Sequence, residues 1–314
     1  MTQTTLPFQA GEPVAHRGIV VIPLFPALDP VARYVTLDEA LPRGLAITET
    51  SVAGNVPELA VRNPLDERVL LYDGEELVGA KQNRILNVSV LVEARSTSAI
   101  PVSCVEEGRW SSRSAYFAAA AHFAHPQVRR SKAEALAAEP LARGRAQRDV
   151  WDAVREKADR LAVTSPTLAQ SDVFAAKARD LDDLASAFDL RPGQAGAVLA
   201  LGDTLCADYV SRPEAFATLW PKLLRGYLLD ALEFLDRPPA PQARIAGFLD
   251  EVADAPRTHR PSAGLGEDLR LRGPGVIGSG LELDGELVQL SAFSSDGRGE
   301  RAFGRIARPS SRRA

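Results

Sequence analysis

Cysteine and methionine are nearly missing from these 314 residues, with two of the first and one of the second. Cys104 and Cys206 lie far apart and without metal-ligand spacing. That fits a chain kept reduced in the cytoplasm better than a disulfide scaffold, though it leaves a pair between the two open, and it offers no cysteine-based zinc site. No apolar run approaches the ~20 residues that a membrane helix requires, so no membrane partner is expected. The opening MTQTTLPFQAGEP lacks both a basic region and an apolar core, so no secretory signal is expected either. There is no CxxC pair and no G-x-S-x-G elbow. The glycine-rich RLRGPGVIGSG is not followed by a helix, so it reads as a bulged or closely approached strand and not as a phosphate loop. Lysine is scarce too: five, at positions 81, 132, 157, 177 and 222, against 32 arginines. A lysine in this chain therefore stands out, and its compact ammonium is not interchangeable with a guanidinium.

What is present is an ordinary globular composition, 45% hydrophobic and 25% charged. The net charge is −4, but residues 297–314 hold six Arg and one Glu and carry +5, so the rest of the chain carries −9. A body this acidic does not attract nucleic acid, and the tail reads as a basic flexible end. Up to about residue 112 the chain is a succession of short segments rich in Val, Ile and Thr. They include GIVVIPLF, LAITET, PELAVRN, RVLLYD, EELVGA, ILNVSVLV and AIPVSCVEE, punctuated by Gly-Asn, Asn-Pro and Asp-Gly. Their spacing leaves no room for crossover helices, so the pairing should be largely antiparallel. TLDEALPRG carries a capping-box spacing at Thr36 and Glu39 and should form a turn or two of helix.

Helical periodicity follows. AYFAAAAHFA reads as helix. AQRDVWDAVREKADRLA places Val150, Trp151, Val154, Ala158 and Leu161 on one face. SDVFAAKARDLDDLASAF should start on Ser171 or Asp172, and KAEALAAEPLARGRAQ reads as a mobile connection broken by Pro140 and Gly144. PEAFATLWPKLLRGYLLDALEFL is the strongest helix despite Pro221, and QARIAGFLDEVA is a shorter one. LLYDGEELVG, LALGDTLCAD and LELDGELVQL look like three hairpins of one style; internal duplication and generic turn chemistry both account for them. The expectation is an α+β fold. Residues 11–112 would form an antiparallel β unit, sandwich- or barrel-like, and 113–294 would add helices and hairpins packed on it or continuing it. Residues 297–314 would be the tail.

The densest polar chemistry lies between two of these strands, in YDGEELVGAKQNR (residues 72–84). A turn needs only its Asp-Gly pair. Gly79 and Ala80 break the strand and let a backbone approach a ligand; Lys81 and Arg84 would hold an anionic group, and Gln82 and Asn83 would supply directional hydrogen bonds. Glu75 and Glu76 are adjacent on a strand, so they point to opposite faces and only one can serve a given pocket. Further on, Ile100, Val102, Cys104 and Glu106 share a face by period two. Cys104 then reads as an inert core thiol, and Glu106 as a carboxylate at the rim of the core. Arg109 and Trp110 follow in a polar turn that can clamp and stack a planar ring. Glu76 and Glu106 are thus the candidate catalytic bases; Glu75, Lys81, Gln82, Asn83, Arg84, Arg109 and Trp110 are the candidate ligand-binding residues. His122 and His125 have helical i, i+3 spacing but no zincin carboxylate, while His16 and His259 are isolated, so no metal is assigned and no cofactor can be named.

On LLYDGEELVGAKQNRILNVSVLV, IPVSCVEEGRW, FATLWPKLLRGYLLDAL and GSGLELDGELVQLSAF, the chain resembles the bacterial ARG and rhodanese-phosphatase-superfamily-associated protein domain family over roughly residues 11 to 294. The resemblance implies association with ADP-ribosylglycohydrolase-type and rhodanese-like phosphatase proteins. It also implies a role near ADP-ribose or NAD metabolism, with Glu75, Glu76, Lys81, Gln82, Asn83 and Arg84 as the working surface. It implies no particular reaction. Two functions are therefore expected as alternatives. In one, the chain binds a small anionic metabolite, phosphorylated and nucleotide-like, and a hydrolase or transferase reaction would act on it. In the other, the same loop is a recognition surface of a non-catalytic protein-interaction or scaffold module.

Overall fold

The computed structural model describes residues 6–51, 54–55, 57–137, 143–238 and 240–295. The chain opens with β1 (Phe8–Ala10), β2 (Val14–His16) and β3 (Ile19–Pro26), followed by β4 (Val35–Thr36) and the short helix α1 (Leu37–Ala40). α1 starts on the expected capping box, with the Glu39 carboxylate accepting from the Thr36 N–H at 2.8 Å. A 3-10 turn then ends at Gly44, whose φ of 103° suits a residue without Cβ.

Eight strands follow: β5 (Ala46–Glu49), β6 (Glu58–Asn63), β7 (Val69–Leu71), β8 (Glu75–Gly79), β9 (Arg84–Leu86), β10 (Val90–Val92), β11 (Ser96–Cys104) and β12 (Phe117–Phe123). In the order β12-β8-β9-β11-β6-β5, six of them make a curled antiparallel sheet whose two end strands approach each other, a half-closed barrel. β10, β7 and β4 form a small sheet beside it, with β4 parallel to β7. Alternation supplies the core. In β6, Leu59, Val61 and Asn63 point inward between more exposed neighbours, and they meet Ile47, Leu77, Leu86 and Ile100.

The helices are α2 (Pro126–Ala137), α3 (Arg143–Arg160), α4 (Gln170–Ala176), α5 (Ala178–Ala185), α6 (Pro213–Ala231) and α7 (Gln242–Asp254). The remaining strands are β13 (Gly196–Leu201), β14 (Thr204–Val210), β15 (Arg257–Pro261), β16 (Glu267–Arg272), β17 (Val276–Leu283) and β18 (Glu286–Ser294). They join the N-terminal strands in a nine-stranded sheet, β1-β3-β13-β14-β18-β17-β16-β15, with β2 pairing β3 along the same edge as β1. Residues 8–26 therefore sit in the sheet built mainly by the C-terminal half, and β12 sits in the sheet of the N-terminal half. Period two divides this large sheet. Ile19, Val21, Leu199 and Leu201 face α5 and α6, while Val20, Ile22, Val198 and Ala200 face Ile245, Phe248 and Val252 of α7. Gly278 and Gly280 lie where β17 meets β18; a Cβ there would come within 2.6 Å and 2.7 Å of a carbonyl on the partner strand, the close approach expected of this glycine-rich strand.

Four expectations are corrected. AYFAAAAHFA is strand β12 and not helix, because pairing Phe117, Ala118 and Ala119 with Gly79, Val78 and Leu77 closes the edge of β8, and tertiary pairing outweighs the helical preference of alanine. LLYDGEELVG is not a hairpin. Its Asp73-Gly74 turn, closed by Glu75 N–H to Tyr72 carbonyl at 3.1 Å, carries the chain from the small sheet into the half-barrel, and β7 and β8 do not pair. The turns at Gly202-Asp203 and Asp284-Gly285 do join paired strands. α4 begins at Gln170 with no side-chain cap: Asp172 is engaged by the Ser165 hydroxyl at 2.6 Å and Ser171 Oγ by Asn83. The connection around Pro140 and Gly144 is helical up to residue 137 and again from 143; the five residues between lie outside the described residues, as does the tail from 297 onward. No described helix is long and apolar enough to cross a membrane.

Candidate functional site

Adjacent strand residues project to opposite faces, and Glu75 and Glu76 do so here. Both are fully buried. Glu75 turns toward α6, where Lys222 Nζ donates to Oε1 at 2.9 Å and the Tyr72 N–H donates to Oε2 at 2.9 Å. Lys222 also donates to Asp38 at 2.8 Å. Burial raises the Glu75 pKa against the pull of Lys222, while Glu75 and Asp38 together outweigh burial and raise that of Lys222.

The residues just before it are tied to the C-terminal half as well. Tyr72 donates its hydroxyl to Asp208 at 2.6 Å, and Arg129 grips the same carboxylate through two nitrogens at 2.9 and 2.7 Å. Lys132 donates to Asp73 at 2.5 Å and to the Leu86 carbonyl. Gly74, at φ 82°, leaves the room Arg129 occupies: a Cβ there would stand 2.7 Å from Arg129 Cδ and Nε. The first four residues of the polar segment thus fasten two sheets together.

Glu76 turns the other way. Its Oε2 meets His122 Nε2 at 2.9 Å and accepts from Gln170 Nε2 at 2.6 Å; Oε1 accepts from Asn83 Nδ2 at 3.4 Å. His122 is stacked on Phe174, ring centroids 3.7 Å apart. Asn83 bridges to the second candidate base, its N–H donating to Glu106 Oε2 at 3.0 Å. Arg109 holds Glu106 bidentately at 2.8 and 2.6 Å, and Thr167 adds a hydroxyl at 2.9 Å. Burial pushes the Glu106 carboxyl up, but these donors together prevail and hold it below the usual glutamate value. Arg109 also donates to the Ala80 carbonyl at 2.7 Å, and the Ser114 hydroxyl accepts from the Ala80 N–H at 2.9 Å. These contacts fix Ala80 at φ 37°, a left-handed conformation costly for a residue with a side chain.

Beyond this braced turn the segment ends in a different environment. Arg84 is completely buried. Its Nη1 donates to Gln82 Oε1 at 2.9 Å, while Nε and Nη2 have no hydrogen-bond partner among the described residues. Its guanidinium lies 5.6 Å from the centre of the Trp110 ring, and Lys81 Nζ lies 5.4 Å from the same ring. Trp110 is half exposed at 48%, so it lies between the arginine and solvent. Cys104 pairs with Arg84 across the strands and is fully buried. Burial raises its pKa to about 11, so it is a core thiol as its place on the strand suggested.

The structure therefore brings Glu76, Asn83, Glu106 and Arg109 into one buried network, sets Lys81, Gln82, Arg84 and Trp110 beside it, and turns Glu75 away from both. The grooves described on the surface are lined by other residues, such as Arg62, Thr97 and Tyr116 across β5, β6 and β11. Among the described residues no three His, Cys, Asp or Glu side chains are arranged to hold a metal. His122 and His125 go to different partners; His125 Nδ1 lies 2.8 Å from Asp230. His122, Gln170, Thr167 and Lys222 were not visible as members of this site, since each reaches it from a distant element with no local pattern to mark it. Glu49 was legible in principle: it shares the inward face of β5 with Ile47 by period two, and its Oε2 is buried without a hydrogen-bond partner among the described residues.

A buried polar network carried by a half-barrel, docked through a second ionic cluster onto a large antiparallel sheet, defines a mixed α+β protein with one polar site at a hairpin loop. The chain belongs to the family described as ARG and Rhodanese-Phosphatase-superfamily-associated Protein domain, which it matches over residues 7–293. No curated protein and no solved structure matches it.

Proposed function

We propose that this protein binds a phosphorylated, nucleotide-like small molecule at Lys81, Arg84 and Trp110. The observation that carries the reading is the Arg84 guanidinium, fully buried with its Nε and Nη2 unpartnered among the described residues. A buried cation lacking partners costs stability, and such cost is characteristically kept where a ligand completes the site. A phosphate matches both directions of a guanidinium fork, Lys81 adds a second positive charge, and the half-exposed indole offers a face for a base. The family's association with ARG and rhodanese-phosphatase proteins supports a phosphorylated metabolite related to ADP-ribose or NAD and partners that process it. Hydrolysis or transfer of that molecule would draw on Glu76 with His122, or on Glu106.

One observation favours the alternative of a non-catalytic module. The Glu75, Glu76 and Glu106 carboxylates are each matched to internal donors, so they brace the loop as they stand. Binding without turnover is consistent with both sets of contacts.

The test is a thermal-shift screen of ADP-ribose, NAD, phosphate esters and inorganic phosphate on the parent, Lys81→Ala and Arg84→Met. A ligand that binds only the folded state raises the Tm. We expect a shift on the parent that Arg84→Met abolishes. Without ligand, Arg84→Met should melt at or above the parent temperature, because replacing a poorly partnered buried charge by an apolar chain is neutral or stabilising. Absence of a shift with every phosphorylated compound would sink the reading.

A further inference from the structure

We infer that Glu49 is a hydroxyl acceptor in the Arg84 site, and that the ligand is therefore a ribosyl phosphate: phosphate on Arg84 and Lys81, sugar hydroxyls on Glu49. The inference rests on the anion-binding reading above and adds a residue and a ligand class to it.

Glu49 ends β5 on the inward side of the half-barrel. Among the described residues its Oε1 receives only a long 3.4 Å contact from the Lys81 N–H, and its Oε2 is buried with no hydrogen-bond partner. Nε and Nη2 of Arg84 are in the same condition. Trp110 joins the two: the Arg84 guanidinium lies 5.6 Å from its ring centre, and its Cζ2 and Glu49 Oε2 lie within 3.2 Å and 3.4 Å of one point, a Cβ position on Gly54. Yet among the described residues Glu49 and Arg84 do not form an ion pair with each other. An incompletely matched carboxylate and an incompletely matched guanidinium, both desolvated, are complemented by a molecule that donates to one and accepts from the other.

That molecule needs an oxyanion and hydrogen-bond donors a short distance away. A cationic amine would also satisfy Glu49, but it would stand beside the charges of Lys81 and Arg84; neutral hydroxyls avoid that repulsion. A vicinal diol presents two donors to the carboxylate, and the indole of Trp110 is placed to cover a ring. Gly54 keeps a further side chain out of this junction. A Cβ built on it would stand 3.1 Å from Lys81 Cδ, 3.2 Å from Trp110 Cζ2 and 3.4 Å from Glu49 Oε2, and its φ of 80° suits glycine. The three side chains converge on a stretch of bare backbone.

Calorimetric titration separates this inference from the reading beneath it. Ribose 5-phosphate, 2-deoxyribose 5-phosphate and inorganic phosphate are titrated into the parent, Glu49→Gln and Arg84→Met, each variant checked for a parent-like circular dichroism spectrum. On the parent, ribose 5-phosphate should bind at least about tenfold more tightly than either of the others, the effect of one hydrogen bond to a charged group. Glu49→Gln should remove that preference while inorganic phosphate binds more tightly, because a negative charge beside the anion site is gone; Arg84→Met should abolish binding of all three. If ribose and deoxyribose phosphates bind the parent equally, or if Glu49→Gln keeps the preference, the role of Glu49 is wrong while the anion site stands. That comparison on the parent decides the matter even where a variant fails to fold. If none of the three binds the parent, both readings fall.

Discussion

Lys222 is the counter-charge that lets Glu75 sit fully buried inside the protein, and Asp38 completes the trio. Removing one partner of such a pair leaves an uncompensated charge in a poorly solvating interior, which costs about 3–5 kcal/mol. Lys222→Met should lose that much in urea unfolding, and the double variant Lys222→Met/Glu75→Gln should recover most of it. An additive double variant would show that the pair is not coupled. The opposed projection of Glu75 and Glu76 was legible from strand periodicity, and so was the buried, unreactive character of Cys104. The saturation of Glu106 by Arg109 was not, although the two are three residues apart. A carboxylate at the end of an inward face looks the same on paper whether it meets a ligand or an arginine.

Among the elements, α6 and β12 show why local preference is an incomplete guide. α6 packs so closely on β12 that a Cβ on Gly226 would stand 3.0 Å from the Phe123 carbonyl oxygen and 3.3 Å from that of Ala124. Helix propensity alone favours alanine over glycine by about 1 kcal/mol. Gly226→Ala should nevertheless destabilise the protein by about 1–3 kcal/mol, as overpacking does, measured by chemical unfolding. A gain in stability would mean that the two elements can separate at little cost. The longer strands β3, β13, β14, β17 and β18 of the nine-stranded sheet, the capping box of α1 and the amphipathic α3 and α6 were readable from pattern, whereas the short edge strands β1, β2 and β15 were not. β12 was not, because an alanine run has no alternation to show and it becomes a strand by filling the edge of β8. The Asp73-Gly74 turn misled in a similar way: its chemistry makes a turn, and only the sheets on either side decide whether that turn closes a hairpin.

For the whole molecule, pH exposes the buried charges that join its parts. Burial lowers the pKa of His125 below 6.5 in spite of Asp230, so the unfolded chain takes up that proton first and stability falls as pH drops below about 6.5. Asp230, held ionised against burial by Lys157 and His125, and Glu106, held by Arg109, have lowered pKa values. Their contributions are present above the ordinary carboxylate range and are lost as pH falls through it. Glu75, raised by burial, works in the opposite sense: below its folded value it ceases to be a buried charge. We expect unfolding free energy to decline from pH 6.5 and more steeply below about 4.5, and His125→Asn to flatten the upper part alone. Stability unchanged between pH 7 and 5 in the parent would contradict this assignment. The joint itself was outside the reach of pattern: Tyr72 to Asp208, Asp73 to Lys132 and Glu75 to Lys222 span large separations in the chain.

Taken alone, the order of residues determined the class of fold, the faces of most strands and helices, and the segment where polar chemistry concentrates. Those properties depend on near neighbours, through the two-residue repeat of a strand and the 3.6-residue repeat of a helix. Tertiary structure alone decided that the polar segment has two tasks, its Tyr72–Glu75 end bracing two sheets and its Lys81–Arg84 end leaving a guanidinium short of partners. Whether a buried charge is matched depends on which distant side chain arrives beside it, and no local repeat encodes that arrival.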